Sequence, residues 1–295
     1  MSKRILVTGS EGFTGRYVTE EFERAGWNVW GAGLQPKPER SQYLQIDLLK
    51  PETLKPITTE VQPDLVVHLA AMAFVAEENA DSFYQVNLIG TRNLLEALSS
   101  STTPPQCTIL ASSANIYGNS ILEVLREDSP ANPTNDYAVS KLAVEYLAKT
   151  YMGRLGIVIT RPFNYTGVGQ DVRFLIPKIV QHFKERAAAI SLGNIQVARD
   201  FSDVRDVARA YRLLAEASPV GKTFNVCSGE ATDLEACLNM ASQITGHDIE
   251  VIINPDFVRE NEVKTLRGSC EKLDRTIGKF RESNIFDTLE WMLQH

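Results

Sequence analysis

Short apolar runs alternate with helical patterns along the first half of the chain. The runs at 4–8, 28–32, 43–46, 65–69, 107–112 and 157–160 predict strands, and segments 14–25, 82–99 and 137–152 predict helices between them. This alternation predicts parallel strand–helix–strand units, and hence an α/β fold with a doubly wound parallel sheet. Beyond Arg161 and Pro162 the alternation becomes irregular. The extra segments predict a smaller mixed α/β lobe over the carboxyl ends of the strands, where open α/β sheets bind their ligands. Segments 201–217 and 222–226 read as a helix and a strand returning to the sheet. The expected division is therefore discontinuous, with residues 1–163 and about 201–227 in the sheet domain and about 164–200 and 228–295 in the ligand-binding domain.

Composition acts mainly by exclusion. With 295 residues, 43% hydrophobic and 23% charged, the chain can bury a large core, which rules out disordered and fibrous classes. No apolar run reaches the roughly 20 residues of a membrane span. The longest, 65–76, is interrupted by His68 and reads as a buried strand and its exit. The amino terminus runs directly into a strand without a signal-like apolar region, so a cytoplasmic location is expected. A net charge of −7 opposes attraction to nucleic acid, and an anionic ligand would need local arginines. Four cysteines (107, 227, 237, 270) and four histidines (68, 182, 247, 295) lack metal-ligand spacing, so no metal site is expected and the thiols read as buried.

Two motifs bring chemistry. Tyr137 and Lys141 stand four apart on a predicted helix and therefore share a face. A free phenol has a pKa of about 10, and a neighbouring ammonium favours the phenolate. Lys141 is thus expected to lower the Tyr137 pKa and make the tyrosine a proton relay. Between the first strand and the first helix, Gly9, Gly12 and Gly15 have the spacing Gly-x-x-Gly-x-x-Gly. Missing side chains would let the backbone around Phe13 and Thr14 approach a pyrophosphate at the helix amino end, although a plain tight turn is the alternative. The second strand ends in Gly31, Ala32, Gly33 and Leu34, without the acid that selects NAD. Arg16, with Lys37 or Arg40, could instead receive a 2′-phosphate, so NADP(H) is favoured and NAD(H) remains open. Asp47 and Leu48 after the third strand could meet the adenine, and Leu69, Ala70 and Ala71 the ribose; packing is the alternative for each.

Through Gly9-x-x-Gly12-x-x-Gly15, Asp47-Leu48, His68 to Ala71, Asn87, Ser112 to Gly118 and Tyr137-x-x-x-Lys141, the chain resembles the extended short-chain dehydrogenase/reductase family. That resemblance implies a Rossmann domain with a smaller nucleotide-sugar domain. It also implies a catalytic set of Ser113, Tyr137 and Lys141, in which Ser113 hydrogen-bonds the reacting oxygen, Tyr137 moves its proton and Lys141 holds the ribose. Within the family, Arg161 to Asn164, Gly167 to Gln170, Arg199 to Asp206, Asn225 to Gly229 and Arg259-x-x-Glu262 resemble reductases of GDP-linked 4-keto-6-deoxyhexoses that form GDP-D-rhamnose. Asn164, Arg199 and Arg259 would then hold the diphosphate and nearby sugar groups, and Glu262 the nucleotide ribose. Related dehydratases carry an acidic pair where this chain has Ala114 and Asn115, so dehydration is disfavoured. Met72 and Ala73 also depart from the small polar residue usual in reductases. The resemblance implies a homodimer formed by helices 82–99 and 137–152, and a product destined for surface polysaccharide. The alternatives are a nucleotide-sugar 4-epimerase, a dTDP- or UDP-linked ketosugar reductase, and a non-catalytic NAD(P)-sensing protein.

Overall fold

The structure, a computed structural model, describes residues 3–73, 79–255 and 265–295. In chain order the first half contributes β1 (Arg4–Thr8), β2 (Asn28–Gly33), β3 (Tyr43–Gln45), β4 (Leu65–His68), β5 (Cys107–Ala111) and β6 (Ile157–Pro162). The second half contributes β7 (Asn164–Thr166), β8 (Ala189–Leu192), β9 (Ala198–Asp203), β10 (Thr223–Val226), β11 (Ala231–Asp233), β12 (Glu250–Ile253) and β13 (Thr265–Leu266). The helices are α1 (Phe13–Arg24), α2 (Ala80–Ser82), α3 (Thr91–Ser99), α4 (Asp136–Tyr151), α5 (Leu175–Lys184), α6 (Val204–Ala217), α7 (Leu234–Thr245), α8 (Glu271–Ile277) and α9 (Ile285–Gln294).

Seven strands form one sheet in the order β10-β6-β5-β4-β1-β2-β3, and every pairing in it is parallel. Such a sheet is covered on both faces, and the alternation of side chains along β1 shows how. Ile5 and Val7 point into a core shared with Phe22 of α1 and Leu214 of α6, whereas Leu6 points into the opposite core with Leu95 of α3 and Val144 of α4. This is the expected α/β architecture. The order reverses between β1 and β4, which places a crevice for ligands at the carboxyl ends of those two strands.

A second, smaller assembly sits beyond β6. β9 pairs with β11, β13 and β7, β8 pairs with β12, and α5, α7 and α9 close a separate apolar core around Phe183, Leu238 and Leu289. Leu273 of α8 and Phe280 pack instead into the core of the large sheet, so the chain crosses back near its end.

Two segments differ from expectation. The helix expected at 201–217 begins only at Val204, because Phe201 to Asp203 finish β9 against β7. The Asp203 side chain accepts the Arg205 N–H at 2.7 Å and starts the helix there. The helix expected at 82–99 is not uniform, since a π-helical stretch, Phe83–Gly90, separates α2 from α3. It carries Asn87.

Candidate active site

The glycine turn between β1 and α1 has no room for side chains. Gly9 has φ of +71°, and a Cβ on it would lie 2.8 Å from the Ala70 nitrogen. A Cβ on Gly15 would lie 2.0 Å from the Gly9 carbonyl oxygen. Helix α1 starts at Phe13, with Gly12 in the cap position, so it has no side-chain cap, and it has no acid in its first turn. Its first N–H groups and the positive end of its dipole therefore suit an anion such as a pyrophosphate. These observations fit a dinucleotide at the turn.

Around this turn the expected cofactor residues take definite places. Phe13 stacks on Tyr165 at 6.1 Å, and Thr14 Oγ1 is hydrogen-bonded to the Tyr165 hydroxyl at 2.7 Å. Arg16 donates to the Gly169 carbonyl at 3.1 Å, whereas Lys37 and Arg40 both converge on Glu11, so Arg16 is engaged apart from the other two cations. Asp47 accepts the Leu49 N–H at 3.0 Å and pairs with Lys50 at 3.6 Å, and Leu48 is buried against Gly90. Leu69 and Ala70 follow β4 in hydrogen bonds to Thr8, beside Gly9, and Ala71 continues the same exit.

The fold brings Ser113, Tyr137 and Lys141 together. Ser113 follows the end of β5 and caps a 3₁₀ turn, Ala114–Tyr117, by accepting the Asn115 N–H at 3.1 Å. Tyr137 and Lys141 occupy the first turns of α4, which Asn135 caps by accepting the Ala138 N–H at 2.9 Å. The Ser113 hydroxyl lies near enough to Tyr137 to favour its phenolate, and the Lys141 ammonium sits 5.9 Å from the Tyr137 ring centroid while donating to the Ala111 carbonyl at 2.8 Å. All three side chains are buried.

Burial sets the proton affinities here, and it corrects the expectation for the tyrosine. Desolvation pushes the Tyr137 phenol up to about 12, only partly offset by the nearby Ser113 hydroxyl, with Tyr165 adding to the rise. Desolvation also pushes Lys141 down to about 8. Both groups occupy the same dry pocket, where each is held toward its neutral form rather than driven apart as an ion pair. Burial likewise takes His68 down to about 3. It stays neutral between Thr8 Oγ1 at 2.6 Å and Thr91 Oγ1 at 2.9 Å.

Networks behind the site fix its geometry. Asn87 accepts the Met72 N–H at 2.8 Å, donates to the Met72 carbonyl at 3.1 Å and donates to Ser140 Oγ at 3.0 Å. It thereby ties the exit of β4 to the residue before Lys141. Asn87 belongs to the motif set read from the sequence, but this role requires a contact 53 residues away that spacing alone does not reveal. Arg161 makes a two-pronged pair with Glu145 of α4 at 2.9 and 2.7 Å and donates to the Tyr117 hydroxyl at 2.9 Å.

Of the expected substrate residues, Asn164 is exposed on β7, with its amide 3.5 Å from the Asp200 carbonyl, and Arg199 lies on the paired strand β9. Arg199 donates to the Ala198 carbonyl at 2.9 Å. Arg259 and Glu262 lie outside the described residues. Tyr165, stacked on Phe13 and hydrogen-bonded to Thr14 at the glycine turn, is a residue beside the site that sequence reading did not single out, since an isolated aromatic after Asn164 carries no spacing signal.

A side-chain-free glycine turn at a helix amino end, a parallel sheet that reverses beside it and a buried Ser–Tyr–Lys set fit a dinucleotide-dependent enzyme class. The chain belongs to the NAD dependent epimerase/dehydratase family, whose model matches residues 5–227. It is similar to a GDP-6-deoxy-D-talose 4-dehydrogenase of Aggregatibacter actinomycetemcomitans, at 32% identity over 99% of this chain and 97% of that protein. It is also 33% identical to a GDP-6-deoxy-D-mannose reductase of Pseudomonas aeruginosa, with the same coverage of 99% and 97%. Among solved structures, RMD from Pseudomonas aeruginosa complexed with NADPH superposes with a TM-score of 0.87 at 31% identity, covering 99% of this chain and 98% of the other. A candidate epimerase from Burkholderia cenocepacia J2315 superposes at 0.94 with 51% identity, covering 99% and 97%.

Proposed function

We propose that this protein reduces the 4-keto group of a GDP-linked 4-keto-6-deoxyhexose, as in the formation of GDP-D-rhamnose, with NADPH favoured over NADH as the reductant. The observation that carries this reading is a buried Ser113–Tyr137–Lys141 set beside Ala114 and Asn115, a site with a proton donor but no acidic pair for eliminating water. The GDP-6-deoxyhexose relatives and the NADPH-complexed structure support the same substrate and cofactor class.

NAD(P)H, when held at the glycine turn, would supply a hydride for C4 of the sugar. A phenol held near 12 keeps its proton at neutral pH, which suits Tyr137 as the acid that protonates the developing C4 alkoxide. Ser113, whose hydroxyl neighbours Tyr137, would hydrogen-bond the same oxygen. Once Tyr137 has given up its proton, the nearby Lys141 ammonium stabilises the phenolate. In this reading Asn164 and Arg199 hold the diphosphate and sugar in the smaller lobe, with Arg259 and Glu262 completing that set, while the sheet domain holds the dinucleotide.

The test is the loss of reduced-nicotinamide absorbance on mixing with GDP-4-keto-6-deoxymannose made in place by a dehydratase, with NADPH and NADH compared. Tyr137→Phe should reduce turnover about 10²-fold or more while substrate affinity changes little. Reaction with only the dTDP- or UDP-linked ketosugar would reassign the nucleotide. A 4-epimerase is the second reading, favoured by the 51% identical candidate epimerase. It would retain its dinucleotide, so NAD released on denaturing the purified protein, together with no net oxidation of NADPH, would select it.

Among the described residues no helix is long and apolar enough to cross a membrane. The proposed enzyme works in the cytoplasm, supplying an activated sugar for surface polysaccharide. It works as a homodimer through the helical segments 82–99 and 137–152, the second of which exposes Val139 and Tyr146 on α4. A monomeric mass in light scattering would remove the dimer from this reading.

A further inference from the structure

Glu11, between the first two glycines of the turn, is where the positive charges of the loop after β2 converge. Arg40 Nη1 donates to its Oε1 at 3.1 Å, and Lys37 Nζ lies 3.5 Å from its Oε2. Arg40 reaches on to Glu23 of α1 at 3.6 Å, and Ser10 Oγ donates to Glu11 at 3.5 Å. The carboxylate is 32% exposed and the two cations 34% and 38%, so the cluster faces solvent without being loose in it.

Position gives this cluster its meaning. In nucleotide-binding α/β folds the 2′ position of the adenosine ribose lies at the end of the second strand, where an acid accepts a hydroxyl or a base receives a phosphate. β2 ends here in Gly33, followed by Leu34, and supplies neither. The glycine turn instead lies against that strand, since a Cβ on Gly31 would fall 2.6 Å from Ser10 Oγ. The turn thus delivers a carboxylate to a place usually served by the strand, with Lys37 and Arg40 bound to it. A 2′-phosphate would be attracted by the two cations and repelled by the carboxylate that occupies them.

We propose that Glu11 sets the 2′ selectivity of the dinucleotide site by acting as an internal competitor that a 2′-phosphate must displace from Lys37 and Arg40. The proposal rests on the dinucleotide reading above and deepens it. It also makes these residues a latch, in which cofactor binding exchanges one set of ion pairs for another.

Calorimetric titration with NADP⁺ and NAD⁺, which needs no sugar substrate, tests it. Glu11→Gln should tighten NADP⁺ by about tenfold and leave NAD⁺ within about twofold, and the gain should shrink as salt is raised. Arg40→Ala should weaken NADP⁺ alone, and in that background Glu11→Gln should gain less. Equal changes for both nucleotides, or weaker NADP⁺ binding by Glu11→Gln, would overturn the latch. A selective loss of NAD⁺ would also overturn it, making Glu11 an acceptor for the 2′-hydroxyl. Wild-type protein that binds neither nucleotide would defeat the dinucleotide reading itself, before any variant is compared.

Discussion

Lys141 and Tyr137 sit in one pocket whose dryness moves both away from charge, Lys141 to about 8 and Tyr137 to about 12. In the direction of reduction this is an advantage, because the tyrosine must arrive with its proton. The lysine is needed as a cation only when the phenolate forms, and its charged form is present below about 8 and lost above it. Turnover should therefore fall as pH rises through about 8. Lys141→Arg should carry that alkaline limb upward, because guanidinium keeps its proton, while lowering the rate through altered geometry. A pH–rate profile of both proteins decides it, and a limb that stays in place would belong to another group. His68, held near 3, is already neutral throughout the working range, so it is not expected to shape the acid side above about pH 4.

At the level of elements, single polar side chains join segments far apart in sequence. Asp200 on β9 accepts from the Ser228 N–H at 2.8 Å and its hydroxyl at 2.7 Å, from the Gly229 N–H at 3.0 Å and from the Gly268 N–H at 3.2 Å. Burial raises its carboxyl above the ordinary value although all four donors pull the other way. Asp200→Ala would leave those donors unpaired in the interior and should cost about 3–5 kcal/mol, read as a lower thermal midpoint, whereas loss of under about 1 kcal/mol would mean that water replaces the carboxylate. Such joints explain what could be read from the chain and what could not. The strands of the large sheet were legible to within two residues because apolar runs in a doubly covered sheet are dictated locally, and the i, i+4 relation of Tyr137 and Lys141 follows from helix geometry alone. The end of β9 inside the expected helix was not legible, since Phe201 to Asp203 become strand only by pairing with β7. The direction of the Tyr137 shift escaped for a related reason: charge proximity follows from spacing, but desolvation depends on everything packed around the pocket.

Over the whole molecule, α1 serves both of the units that the chain builds. Its amino end faces the glycine turn, while its side chains hold β7 and the segment after it: Thr14 pairs with Tyr165, Tyr17 donates to the Val168 carbonyl at 2.7 Å and Arg16 to the Gly169 carbonyl at 3.1 Å. Tyr17 also meets Trp291 of α9 edge-on at 6.1 Å, and Arg205 lies 3.8 Å from the centre of that indole. The element that would bind the dinucleotide phosphates is therefore the same one that positions the strand carrying Asn164. Removing the two tyrosine hydroxyls, with Tyr17→Phe and Tyr165→Phe combined, keeps the ring packing and deletes only the polar ties. Each hydroxyl should be worth about 1 kcal/mol of stability. The sugar nucleotide KM should rise several-fold, while the dissociation constant of the reduced dinucleotide changes by less than about twofold, because the glycine turn keeps its own backbone bonds. Steady-state kinetics and a direct titration of the same double variant separate these quantities. Equal losses on both sides would mean that the ties support the fold as a whole; a loss confined to the sugar would mean that α1 aligns the smaller lobe with the hydride donor.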